Sequence, residues 1–376
     1  MSTKNRQYIS HFPASNAAEC HSGYGSSGCD PPGNVCKFFL LLLFLMGTAL
    51  SSVAQERHTV ERPVWSAADR VPKTPKHEVA IDWGTDYESA QAKAKTAAQF
   101  LLIYLYTEKD SPTLLETTRE TFVQKGSTQV RQLTEVLSSD RVPLPIASAC
   151  REFDMVVLDD ADVRSSLEKY ALLKLPMDTQ VTAEDGTKTS ILMLPEFEHM
   201  AGHPGLVVMD LANRDAPYYG QVTGILPFWR AVCPTATQAV TFLDLPPGTL
   251  TQRTMTYAVR IHPDNPLSSG GEALPIVVHA ATDHALYQAE RGMIGHHNYG
   301  ARSRKIIDEL GGGMPSEICA QSWSHESMFE GAIGCMRAWR RSSAHWSIAR
   351  KHHRYYGYDM AQGKNGAWYA VGFFID

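Results

Sequence analysis

Residues 275–291 read PIVVHAATDHALYQAER. A proline near the start sits where its missing N–H costs a helix nothing. Ile276, Ala280, His284 and Tyr287 then recur at i, i+4, i+8 and i+11, one stripe of the about 3.6-residue helical period. The stretch predicts a helix with His284 on its apolar face. His279 and Asp283 are also four apart but fall on another face, as a solvated pair.

Downstream, the helix runs into Gly295-His296-His297, two histidines that read as packing or capping a loop. Residues 326–341 predict a second amphipathic helix, with Met328, Phe329, Ala332, Ile333, Met336 and Trp339 inward and Arg337, Arg340 and Arg341 outward. Ser324 is its candidate N-cap. A third, short helix opens at Ser342 or Ser343 and presents His345. The chain finishes as a hairpin: YYGYDM over 355–360, an Asn365-Gly366 turn, and AWYAVGFF over 367–374.

Upstream, residues 87–98 are an alanine- and lysine-rich helix, and FLLIYLY over 100–106 is an apolar run of the buried-strand kind. Residues 114–137 look helical in two pieces broken near Gly126, and 153–158 (FDMVVL) reads as a second buried strand. Residues 162–173 predict an amphipathic helix opened by acidic residues, where the dipole favours them. LVVMD over 206–210 predicts a third strand, entered through His203-Pro204-Gly205. Pro246-Pro247-Gly248 punctuates the chain as a domain boundary, and YAVRI over 257–261 alternates like a strand. The class is α/β.

Two resemblances follow. The order helix, buried strand, helix, strand, helix, then X-Pro and strand, over about 81–231, resembles the thioredoxin-like fold. The loop where that family carries its redox pair reads Glu108-Lys109-Asp110 here, with no cysteine, so no thiolate serves disulfide exchange. Residues 272–376 resemble the bacterial branch of the CAP superfamily, the SCP-like domains. That family's pattern is A-x-x-H on a helix, a histidine about a dozen residues on, E-N-I-A, a tryptophan, S-P-G-H-R and an aromatic final strand. This chain has Ala281-Thr-Asp-His284, His296-His297, Glu317-Ile-Cys-Ala320, Trp339, Ser343-Ala-His345, and Trp368 to Phe373. It departs at Ile318, Ala344 and Trp346, and no helix with N-x-x-R is evident before residue 272.

The resemblance implies an α/β/α sandwich with a ligand cavity lined by His284, His297, Glu317 and His345, in which His284 and His345 hold a divalent metal such as zinc. The position that some members fill from their first helix has no candidate here. From the residues alone two readings stand: two imidazoles and a carboxylate can bind zinc with an open position, and they can equally be core histidines hydrogen-bonded to backbone and to Glu317. Cys319 and Cys335 are expected to join as a disulfide in an exported chain, a helix bringing Cys335 back over the Glu317 segment.

Export is expected from residues 37–54, KFFLLLLFLMGTALSSVA: a lysine, an apolar run shorter than the roughly 20 residues a bilayer needs, then small residues ending at Ala54. The alternative is an uncleaved anchor, the chain's one route to a membrane. The expected organisation is 1–54 n-region and signal, 55–77 linker, 78–235 thioredoxin-like domain, 236–271 linker and strand, and 272–376 CAP/SCP-like domain. Over the whole chain of 376 residues a net charge of -5 calls for no nucleic-acid partner. His325-Glu326 lacks the second histidine of HExxH, Gly311-Gly312-Gly313 lacks a Walker lysine, and there is no GxSxG elbow. Three functions remain: a module binding a small ligand, lipid, peptide or cell-envelope component; a metal-assisted hydrolase using His284, Glu317 and His345; and a redox or chaperone-like partner built on the first half, whose redox loop lacks cysteine.

Overall fold

The computed structural model describes residues 80–109, 146–183 and 185–376. The signal, the 55–77 linker and the helices read over 114–137 lie outside the described residues.

The first sheet begins with α1 (Tyr87–Ala97), whose N-cap Asp86 accepts from Ser89 N and whose end is turned by Ala98 at φ 49°. β1 (Phe100–Tyr106) is buried through its centre, as its apolar run predicts. α2 (Ile146–Glu152) continues into a π-helical turn at Phe153–Val157, and α3 (Ala161–Leu167) is capped by Asp160. Then come β2 (Tyr170–Pro176), a small hairpin of β3 (Gln180–Thr182) and β4 (Lys188–Ser190), β5 (Gly205–Met209) and β6 (Val222–Pro227). The strand order is β2-β1-β5-β6, with β1 parallel to β2 and antiparallel to β5, and β6 antiparallel to β5.

Two expectations are corrected here. Residues 153–158 are not a strand: Phe153 and Val157 bury one side of a helical turn, and so short an apolar run has no period of its own to separate helix from strand. The missing strand is β2, inside the stretch read as helix to residue 173. Its Ala, Leu and Lys are helix formers, and the parallel register from Phe100↔Tyr170 to Tyr106↔Pro176 overrides that propensity.

Residues 236–271, expected as linker and strand, instead hold α4 (Ala236–Leu243) and α5 (Leu250–Arg260). Both open with capping boxes, Thr235 with Gln238 and Thr249 with Gln252. Arg253 to Val259 of α5 are all buried, polar Arg253, Thr254 and Thr256 among them, and the YAVRI alternation read as a strand is the end of this helix.

The second sheet is built from β7 (Glu272–Ala273), α6 (Pro275–Arg291), α7 (Tyr299–Leu310), β8 (Ser316–Gln321), α8 (Met328–Arg341), α9 (Ser343–Ala349), β9 (Tyr355–Gln362) and β10 (Trp368–Ile375). Its order is β7-β9-β10-β8. The N-cap of α8 is Ser327 with Glu330 in a capping box, not Ser324. α6 and α7 cover one face, while α5, α8 and α9 cover the other. α6 lies so close to β9 that a Cβ on Gly357 would meet Val277 O at 2.5 Å. α5 packs on both β6 and β9, and one apolar core runs from β1 through α5 and α8 to β10. No helix among the described residues is long and apolar enough to cross a membrane.

Candidate functional site

Strand alternation decides what β8 does. Ile318 and Ala320 enter the core beneath α8, which turns Glu317 and Cys319 to the face covered by α6 and α7. There the Glu317 side chain is 1% exposed and meets three donors. Arg302, one turn into α7, donates from Nε at 3.1 Å and Nη2 at 2.6 Å to Oε2. His296, on the loop between α6 and α7, donates from Nδ1 to Oε1 at 2.8 Å. A buried carboxylate is tolerable because a guanidinium fork and an imidazole N–H replace its water.

His284 comes to the same carboxylate from α6, its side chain wholly buried and its Nε2 3.7 Å from Glu317 Oε1. Its Nε2 is only 2.7 Å from Gly295 O. A carbonyl can only accept, so Nε2 carries the proton and Nδ1 is bare; Nδ1 has no hydrogen-bond partner. Burial pulls the His284 pKa down, with Glu317 opposing. His297 packs its ring 6.4 Å from that of His284 and 5.8 Å from that of Tyr287, and its buried Nε2 has no partner. His345, at the start of α9, has its ring 5.7 Å from that of His296. Burial and the His296 charge hold its pKa below the usual histidine value.

The four expected cavity residues therefore gather around the Gly295 loop, but not as equals. His284 and Glu317 have no surface to offer a ligand, whereas the His296 side chain is 47% exposed. His296 is the link the sequence reading passed over: it joins buried Glu317 to His345. Arg302 was also missed, and Cys319 was named only as a disulfide partner. The signal for Arg302 is indirect, since a glutamate on a buried strand face demands a counter-charge.

His284, Glu317 and Cys319 could hold a metal ion, their ligand atoms lying within 4.8 Å of one another. Cys319 Sγ is 3.7 Å from Glu317 Oε1 and from His296 Nδ1. Burial and Glu317 push its thiol strongly up, so it would have to lose a proton on binding. His345, expected to be the partner of His284 at a metal, faces His296 instead.

The expected disulfide is overturned. Cys319 and Cys335 are both free thiols. Cys319 points to the α6 and α7 face, within 3.6 Å of Gly295 O, while Cys335 lies in the core under α8, its Sγ 3.9 Å from Trp368 O. The sheet stands between them. No known protein family, curated protein or solved structure matches the chain.

Proposed function

We propose that this is an exported protein whose C-terminal half is a CAP/SCP-like module, binding a small ligand, lipid, peptide or cell-envelope component at the His296–His345 edge of the Glu317 cluster. Support for the module comes from the order of helix, histidine loop, glutamate strand, helix, His345 helix and aromatic hairpin, and from helices on both faces of β7-β9-β10-β8. α5 supplies a helix ahead of β7, the place of the resembled family's opening helix. A thioredoxin-like first half is supported by the order β2-β1-β5-β6 with α4 after it. The loop after β1 carries Glu108 and Lys109 in place of a redox pair, so this half is a scaffold. Export rests on residues 37–54.

The observation that carries binding over hydrolysis is the occupancy of Glu317. Both of its oxygens accept from Arg302 and His296, so it is a poor general base and a fixed anchor for the His296 ring. That anchoring points His296 Nε2 away from the carboxylate, and the His296 ring lies 5.7 Å from that of His345. A second reading, metal-assisted hydrolysis, is favoured by the buried His284, Glu317 and Cys319 set, whose N, O and S donors suit zinc. The two separate in a zinc titration followed by melting temperature, run beside ester and amide hydrolysis assays. The binding reading expects no zinc-dependent hydrolysis. Zinc-dependent turnover lost in both Cys319→Ser and Glu317→Gln would replace it with the hydrolase.

A further inference from the structure

A thiol, an imidazole and a carboxylate converge at the Gly295 loop, and their spacing can be set against that of a metal site. His284 Nε2 stands 3.7 Å from Glu317 Oε1, and Cys319 Sγ stands 3.7 Å from the same oxygen. All three ligand atoms lie within 4.8 Å of one another, and all three residues are buried. Zinc bonds of about 2.0 Å to nitrogen or oxygen and about 2.3 Å to sulfur put tetrahedral ligand atoms about 3.3–3.6 Å apart. An ion drawing the set together shortens two of its sides by a few tenths of an ångström, and the His284–Cys319 side by roughly 1.2 Å at most. The pair expected from sequence offers no such fit: His345 lies against His296, and His284 is wholly buried beside Glu317.

His284 and Cys319 share one acceptor. Gly295 O receives the His284 Nε2 proton at 2.7 Å and the Cys319 thiol at 3.6 Å. Neither bond holds its donor against an ion. His284 Nδ1 is bare and without a hydrogen-bond partner, so the ring proton can change nitrogen and free Nε2. The thiol proton leaves to solvent, one proton released for each ion bound. Glu317 keeps Arg302 on Oε2, and a ligating carboxylate whose other oxygen is hydrogen-bonded is the supported kind. The backbone is fixed as well, because Ile318 and Ala320 hold β8 in the core and His284 sits within α6.

We infer that this cluster is a structural zinc site held by His284 Nε2, Glu317 Oε1 and Cys319 Sγ, tying α6 to β8 at the Gly295 loop. A thiolate selects a soft or borderline ion over magnesium or calcium. The fourth position is bordered by His296 Nδ1, 2.8 Å from Oε1 and 3.7 Å from Sγ, so its ring screens the ion from substrate. His296 is also the way in, since its side chain is 47% exposed while those of His284 and Glu317 are 0% and 1%. Such an ion shares its ligands with the hydrolase reading but needs no turnover, and the His296–His345 edge binds its ligand with or without it.

Cobalt(II) titration of the reduced full chain, read by absorption, tests it. The chain carries Cys20→Ser, Cys29→Ser and Cys36→Ser, so that no thiol outside the described residues contributes. A thiolate-to-cobalt charge-transfer band that saturates at one ion per chain is expected, and zinc should bleach it. Cys319→Ser should abolish the band and weaken zinc by more than the about 10–100-fold that loss of a supporting partner costs. His284→Gln keeps the thiol and should weaken zinc as much, which keeps the test alive if Cys319→Ser does not fold. Cys335→Ser and His345→Ala should leave the band intact. No band, a band that survives Cys319→Ser, unchanged zinc affinity in His284→Gln, or a band lost in His345→Ala would overturn the inference. Each of these failures would leave the binding reading standing, because that reading turns on the hydrolysis assays and this one on a thiolate band.

Discussion

Glu317 and Arg253 are both buried charges, and the fold treats them in opposite ways. Glu317 is a strand residue whose counter-charges arrive from a neighbouring helix and loop, and both of its oxygens are bonded. Arg253 is a helix residue held by two carbonyls beside the Tyr170 hydroxyl, and among the described residues no carboxylate oxygen lies in bonding range of it. A buried charge with a full set of partners is a structural element whose removal strands those partners. A buried charge held by carbonyls and a neutral hydroxyl keeps more of its desolvation cost. The first pins the second sheet to α7; the second ties α5 to the Leu245 and Pro246 carbonyls.

The largest effect should come from breaking the completed cluster. Glu317→Ala leaves Arg302, whose side chain is 16% exposed, without its fork and His296 without its acceptor. A loss of about 3–5 kcal/mol is expected in urea unfolding, as for other buried pairs stripped of one member. A loss under about 1 kcal/mol would mean that water or another group satisfies Arg302, and the contrast with Arg253 would dissolve.

His203 extends the comparison to a buried group kept neutral. Only 4% exposed, packed on Trp229 and without a hydrogen bond on either nitrogen, it is depressed by burial from 6.5 to about 4. Below pH 6.5 the unfolded chain takes up a proton that the folded chain refuses, so stability present above that pH drains away as pH falls toward 4. The slope from this one group is at most about 1.4 kcal/mol per pH unit. Glu326 runs the other way: burial and Glu330 raise it to about 7, so its contribution is complete below the usual carboxylate range and is lost as pH rises through 7. Urea midpoints at several pH values should lose the acid-side slope in His203→Gln and the neutral-side slope in Glu326→Gln. An unchanged profile in His203→Gln would place its titration elsewhere.

The legibility of the sequence divides along the same line. The helix over 275–291, the strand over 100–106 and the terminal hairpin could be read because each carries a clean signal: a stripe, an apolar run, an Asn-Gly turn. α5 was hidden by the local YAVRI alternation, which mimics a strand, although residues 250–260 are amphipathic at the helical period and the T-x-x-Q capping box after Pro246-Pro247-Gly248 was there to be used. His284 was placed by its stripe and Glu317 by resemblance. Arg302 and His296 stayed hidden because a counter-charge is supplied by tertiary packing, which no local pattern records. The Cys319–Cys335 bond failed on information the sequence did hold: in Ser316-Glu-Ile-Cys-Ala-Gln321, apolar Ile318 and Ala320 claim the core face, so Cys319 must point away from it.

A smaller effect tests the helix that carries Arg253. Thr249→Ala removes the Oγ1 that accepts from Gln252 N at 3.3 Å, for an expected loss of about 1 kcal/mol. That is the ordinary worth of an N-cap. A much larger loss would show that the start of α5 is held in place chiefly by its cap, with little help from the two carbonyl bonds of Arg253.

The smallest effect is expected where intuition from burial alone would put a large one. Arg253→Met deletes two hydrogen bonds to Leu245 O and Pro246 O, and each stranded carbonyl costs about 1–3 kcal/mol if water cannot reach it. It also deletes an unpaired buried cation, and replacing buried charge by an apolar chain of similar length has stabilised proteins by about 1–4 kcal/mol. The two terms oppose each other and are of similar size, so the urea midpoint should move by less than about 1 kcal/mol. A loss as large as that of Glu317→Ala would mean that Arg253 is already neutralised inside the protein, by Asp210 acting through space.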